Sequence, residues 1–277
     1  MDDKIFDSSF LKKLDKLSIY TKNIMTSGNS GLRKSKAKGT SIEFSERREY
    51  SDGDDFRRID WNAYARSEKF FVKLFMEERE TLVNIFIDNS KSMDFGESRK
   101  NIFALRMAAA LSYMSLSNLD SVCINHEKFR GSNSFNNLLR TLTKVEFQGE
   151  YLVNSLKSQQ LKGRGISVII SDFLNDENVE DAVKWLKYSK QDIIIIHVLD
   201  REEAEPKLEG RLKIIDSESK KNVDVFITEK ILNLYKKKLE AFTNNIERIA
   251  KKYEAAYIKC MSDEDIEKII FYKIARR

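Results

Sequence analysis

One short run of the chain carries residue types suited to a hard cation: Asp88-Asn89-Ser90-Lys91-Ser92-Met93. A carboxylate followed by hydroxyls at alternate positions offers three oxygen donors, and a loop can turn all three toward one centre. Mg²⁺ accepts such ligands at ~2.1 Å in octahedral geometry and keeps several waters. A second acidic group, Asp172, follows Ser171 at the end of another apolar run. If the two runs are neighbouring strands, their carboxylates converge on one ion. Other chemistries find less support. His126 and His197 are the only histidines, and neither completes a Ser-His-Asp, Cys-His or His-x-x-x-His pattern. His197 lies within an apolar strand, as a hydrogen-bonded structural imidazole would; His126 follows a strand end. Gly28 through Lys34-Ser35 imitates a phosphate loop, but its spacing is wrong and no strand precedes it.

The elements that must position these residues are legible in the apolar spacing. Phe6, Phe10, Leu14, Leu17 and Met25 make a helical stripe, and 41–50 alternates as a strand. Asp52-Gly53 signals a turn, an amphipathic stretch spans 56–65, and a strand covers 70–75. From Thr81 the pattern becomes regular. Strands are predicted at 81–88, 121–125, 166–171, 192–199 and 256–260, with helices at 98–117, in two pieces over 134–160, at 179–188 and from 228 onward. Two alternating runs within 211–227 read as a hairpin. Ser262 with Asp265 reads as a capping box opening a last helix. Alternating strands and helices predict an α/β fold, a doubly wound and mostly parallel sheet with helices on both faces. Ligands of such sheets bind beyond the carboxyl ends of the strands, where the winding reverses.

Composition narrows the class. The chain has 277 residues, 41% hydrophobic, with one proline and ten glycines, which excludes disordered, collagen-like and linker-dominated chains. Its 49 basic and 44 acidic residues leave a net charge of +5, a mixed surface rather than a nucleic-acid footprint. Cys123 and Cys260 are too few for a disulfide framework and read as buried thiols in a reducing compartment. No apolar run approaches the ~20 residues of a membrane span, and the N-terminus lacks the order of a signal peptide. A cytoplasmic protein is predicted.

Asp88-x-Ser90-x-Ser92, followed by a helix and later by Ser171-Asp172-Phe173, resembles the metal-ion-dependent adhesion site of von Willebrand factor A domains. Upstream, Glu43-Phe44 and then Arg48-x-Tyr50-x-x-Gly53-Asp54-Asp55-x-Arg57-x-Ile59-Asp60-Trp61-x-x-x-Ala65-Arg66 resemble the signature of the DUF58 family. The likeness extends to Phe95-Gly96 and to Glu209-Gly210 and Asp216-x-Glu218 of the hairpin. It implies a von Willebrand A-like domain over 81–277, with a hairpin insertion at about 208–227 and a family-specific extension over 1–80 packed on it. It also implies Mg²⁺ (or Mn²⁺ or Ca²⁺) held by Asp88, Ser90, Ser92 and Asp172. Where such sites usually take a threonine, this chain has Glu150 after Gly149. Glu150 either supplies a further anionic ligand or marks loss of the usual site. The family's common association implies a MoxR-type AAA+ ATPase as partner.

The expected function is a non-enzymatic interaction module in which a partner's carboxylate completes the ion's shell, serving assembly or remodelling of protein complexes. Arg57, Arg58, Asp60, Trp61 and Arg66 are candidates for partner docking. The alternative for that block is structural, with Asp54, Asp55 and Asp60 as local counter-charges and Trp61 packed on the sheet. Two rivals stand beside the module. A metal-dependent hydrolase or phosphatase would need Glu150 or His126 as base. A nucleic-acid binder would use Arg33–Lys38 and Arg47–Arg58.

Overall fold

The computed structural model describes residues 5–26, 43–76, 81–96, 99–147, 149, 152–159, 161, 163–174, 178–216 and 221–274. Helix α1 (Ser8–Thr26) opens the chain. A small unit follows, in which β1 (Glu43–Glu49) pairs antiparallel with β2 (Phe71–Met76) around α2 (Trp61–Ser67). Then come β3 (Leu82–Ile87), α3 (Lys100–Ser117), the β4–β5 pair (Ser121–Ile124, Glu127–Arg130), α4 (Phe135–Thr143) and α5 (Leu152–Ser158). The chain continues through β6 (Gly165–Ser171), α6 (Val179–Tyr188), β7 (Gln191–Leu199) and the short α7 (Arg201–Ala204). The hairpin β8–β9 (Gly210–Ile215, Asn222–Ile227), α8 (Glu229–Lys252), β10 (Ala256–Met261) and α9 (Ile266–Lys268), which runs on as a π-helical turn, complete it.

Six strands form the central sheet in the order β10-β7-β6-β3-β4-β5, every pair parallel except β4–β5. Strand side chains alternate between faces, and here both faces are apolar. Val168 and Ile170 of β6 join one buried cluster with α1, α3 and α4; Ile169, between them, joins the other with α5, α6 and α8. Helix α3 is buried nearly all round, and its Ala108-Ala109-Ala110 run lets it lie close within the core. The hairpin expected at 208–227 is present as its own two-stranded sheet.

The chain divides into two units, residues 1–27 with 81–277, and residues 28–80. This corrects the expected extension over 1–80. Leu14 and Leu17 of α1 are buried in the core cluster, because the apolar stripe of that helix finds α3 to pack on. Strand β5 was missed: Asn125 and His126 both adopt positive φ (49° and 66°), and these two residues join β4 to β5. His126 is thus a turn residue. The Ser262–Asp265 capping box is also corrected. The Ser262 hydroxyl donates to Asp200 (2.7 Å) and Asp265 makes no side-chain cap, so a tertiary partner outcompetes the local one.

Candidate cation site at the switch point of the sheet

Strand β3 leads to β4 on one side, while β6 leads to β7 on the other. The winding therefore reverses between β3 and β6, and it is beyond the carboxyl ends of strands at such a reversal that sheets of this kind bind ligands. The two strands are parallel neighbours, Ile87 beside Ile170, and the Asp88 amide extends the ladder to the Ile170 carbonyl (2.9 Å). Asp88 and Asp172 are thereby brought to the same end of the sheet.

The loop after β3 turns its oxygens inward. The Ser90 amide donates to Asp88 Oδ1 (2.9 Å), Ser90 Oγ and Ser92 Oγ lie 3.0 Å apart, and Ser92 Oγ donates to Asp172 Oδ1 (3.2 Å). Met93, fully buried, anchors this loop in the core. Ser171 donates to the other Asp88 oxygen and accepts from the Phe173 amide (2.8 Å). Phe173 adopts φ +55°, a left-handed conformation costly for a bulky residue, and just beyond it the Leu174 amide reaches Asp172 Oδ1 (3.1 Å). The strain sits where the two carboxylates are held.

The four predicted donors thus form one hydrogen-bonded set of oxygens with no nitrogen or sulfur among them. That set fits a hard dication of the Mg²⁺ class. Burial, and secondarily the neighbouring Asp172 charge, push the Asp88 carboxyl above its ordinary value, a penalty that a cation would relieve. Among the described residues no cluster of three or more His, Cys, Asp or Glu could hold a metal; two of the four donors here are hydroxyls. The Gly149 amide donates to the Asn89 carbonyl (3.0 Å), so the loop carrying Gly149 abuts the Asp88–Ser92 loop. Glu150, the fifth predicted ligand, lies outside the described residues.

One feature of the pocket escapes local pattern. The Lys100 side chain, at the start of α3, is completely buried, with Nζ 2.7 Å from Asp172 Oδ2 and 2.5 Å from Glu203 Oε1. Glu203 belongs to a capping box on α7: its other oxygen accepts from the Asp200 amide (2.9 Å), and Asp200 caps the helix. Burial raises the Glu203 carboxyl, while Lys100 pulls it down. A Cβ on Gly96 (φ +91°) would stand 2.3 Å from the Asp200 carboxyl carbon, so the Phe95-Gly96 turn needs glycine twice over. Lys100, Glu203 and Asp200 were all missed, whereas Ser171 was part of the Ser171-Asp172-Phe173 motif. The only signal available was Asp200 followed by Glu203 after an apolar strand, a helix-start pattern rather than a site pattern.

His197 is buried, its Nδ1 2.8 Å from the Tyr257 hydroxyl, in agreement with a structural role. Cys260 is buried, whereas Cys123 is only partly so; both thiols are free.

In the small unit, Asp60 is buried, caps α2 through the Asn62 and Ala63 amides, and pairs with Arg47 (2.8 Å). Its carboxylate serves the fold, which corrects its place among the docking candidates. Asp54 pairs with Arg48 (2.5 Å), and Asp55 caps a 3-10 turn over Phe56–Arg58. Trp61 does not pack on a sheet: it is 60% exposed and meets Tyr64 edge-on. Arg57 and Arg66 are exposed, with Arg66 Nε donating to the Asn62 carbonyl, and Arg58 is partly buried. The basic run Arg33–Lys38 lies outside the described residues. Among the described residues no helix is long and apolar enough to cross a membrane.

Comparison with known proteins gives a family and distant relatives. Uncharacterized protein Rv1480 of Mycobacterium tuberculosis (strain H37Rv) and uncharacterized protein Mb1516 of Mycobacterium bovis are each 28% identical over 199 residues, 65% of this chain and 62% of theirs. The match thus spans less than two thirds of these relatives. BatB of Bacteroides thetaiotaomicron aligns with a TM-score of 0.43 at 15% identity, over 71% of this chain and 98% of that structure. An aerotolerance-related membrane protein of Bacteroides fragilis gives 0.43 at 18%, over 71% and 100%. Such distant likenesses do not bear on function. The family model described as protein of unknown function DUF58 matches residues 46–242, well over half of the chain, which is therefore a member of the DUF58 family.

Proposed function

We propose that this protein is a non-enzymatic docking module whose cation pocket receives an acidic side chain of a partner protein. The observation that carries the reading is the continuous hydrogen-bonded set Asp88, Ser90, Ser92 and Asp172 at the reversal point of the sheet. Asp88, Ser90, Ser92 and Asp172 would hold the ion, in the manner of the von Willebrand A adhesion site that the sequence resembles. When bound, a hard dication such as Mg²⁺ offers an open position to a guest carboxylate oxygen. The protein's own residues supply the rest. Ser171 and the Ser90 amide fix the Asp88 carboxylate, the Leu174 amide fixes Asp172, and the surrounding surface selects the partner. The family resemblance nominates a MoxR-type AAA+ ATPase as that partner, with ATP chemistry residing in the ATPase.

The test is capture from lysate on immobilised wild type and Asp88→Ala, each with Mg²⁺ and with chelator, followed by identification of bound proteins. An AAA+ ATPase held only by wild type in Mg²⁺ supports the reading. Identical partners under all four conditions refute metal-dependent docking. A metal-dependent hydrolase would instead turn over generic phosphate or ester substrates without any partner.

A further inference from the structure

A lysine with a fully buried side chain is rare and demands paired charge. Lys100 meets that demand inside the pocket itself: its ammonium bridges Asp172 and Glu203, the Phe95 ring lies 5.9 Å away, and water is excluded from its whole length. Both carboxylates are held on their far side, Asp172 by Ser92 and the Leu174 amide, Glu203 by the Asp200 amide. The ammonium is therefore seated in a built socket rather than drifting among acidic groups. Asp172 is shared: one oxygen faces the serine donors, the other faces the ammonium.

We propose that Lys100 is a tethered cation that occupies the pocket's charge in place of a dication and sets a low affinity for one. This deepens the docking reading and rests on its assignment of the Asp88–Asp172 donor set. Three carboxylates (Asp88, Asp172 and Glu203) and one ammonium share the pocket. The single positive charge, 2.7 Å from Asp172 Oδ2, holds that carboxyl group in place without metal. A dication reaching the same carboxylate must settle within a few ångströms of that ammonium, and like charges at such range in a dry site repel strongly. Removing the ammonium while keeping the carboxylates inverts the situation. The pocket then holds uncompensated negative charge, which weakens the fold without metal and attracts the ion.

The experiment titrates Mg²⁺ and Mn²⁺ alone against full-length wild type, Lys100→Met and Lys100→Arg by calorimetry, with thermal unfolding in EDTA and in Mg²⁺. Lys100→Met is expected to bind about tenfold or more tightly than wild type. It should also melt below wild type in EDTA and recover most of that loss in Mg²⁺. Lys100→Arg, which keeps the charge, should bind no better than wild type. If Lys100→Met does not fold in EDTA, refolding it with and without Mg²⁺, beside Lys100→Gln, reads the same quantity. Tight binding by Lys100→Met with little or none by wild type supports the proposal most directly. Equal or weaker binding by a folded Lys100→Met, or a Lys100→Met melt indifferent to Mg²⁺, overturns it. The docking reading is judged separately, on wild type: partner capture insensitive to chelator removes that reading even where Lys100→Met has gained a metal site.

Discussion

Asp88 and Asp172 occupy one site, yet replacing each by asparagine should have very unequal consequences. Asp172 Oδ2 takes the Lys100 ammonium at 2.7 Å, while Oδ1 takes the Ser92 hydroxyl and the Leu174 amide. Every partner of this carboxylate is a donor. In Asp172→Asn the amide nitrogen must face either the ammonium or the Ser92–Leu174 side, so one donor is left against another. Removing one partner of a buried ion pair typically costs 3–5 kcal/mol. Because Glu203 still holds Lys100, the lower end applies, about 3 kcal/mol. Asp88 is different. Its oxygens accept from the Ser90 amide and the Ser171 hydroxyl, and among the described residues no cation contacts it. Its carboxyl is pushed up by burial first and by Asp172 second, so its negative charge is a burden on the metal-free fold. Asp88→Asn should therefore change stability by less than about 1 kcal/mol, in either direction. The assay is urea unfolding in EDTA, in a Trp61→Phe background, so that Trp185 reports on the core unit. A shift in midpoint without a change of slope reads stability alone. Equal losses in the two variants, or a larger loss in Asp88→Asn, would show that the ammonium does not distinguish the two carboxylates.

Two further outcomes are expected. Gly96→Ala forces a side chain into left-handed backbone and against the Asp200 carboxyl, and should cost roughly 2–3 kcal/mol; an unchanged melting temperature would mean that this turn is free to move. His197 should make the protein acid-sensitive. Burial, the largest influence, holds it down to about 4, with Lys259 and Lys100 also lowering it and Asp172 raising it. Below the ordinary value near 6.5 the unfolded chain takes up a proton that the folded chain refuses. Stability thus falls as pH drops from about 6.5 to about 4, by about 3 kcal/mol in all, and is insensitive to His197 above that window. In pH-dependent urea unfolding, His197→Phe should flatten that interval relative to wild type, and parallel curves would refute the assignment.

The sequence by itself determined the strand and helix succession, since apolar spacing is a local property and almost every core element lies within a few residues of its predicted place. It also determined the Asp88–Ser92 run, whose donors are neighbours in the chain, and the carboxylate after the third parallel strand of the alternation. Tertiary structure alone decided that β3 and β6 are adjacent, so that Asp88 and Asp172 meet across 84 positions of sequence. It alone brought Lys100 to Asp172 and Glu203, 72 and 103 residues distant. It drew Ser262 away from a plausible local cap to Asp200, and it bound Asp60 to Arg47 in preference to the arginines beside it. The reason is common to all four. A hydrogen bond or ion pair within a turn is encoded by spacing, whereas one formed on burial is chosen by which groups folding strips of water together, and a lone lysine at the start of a helix carries no mark of that choice.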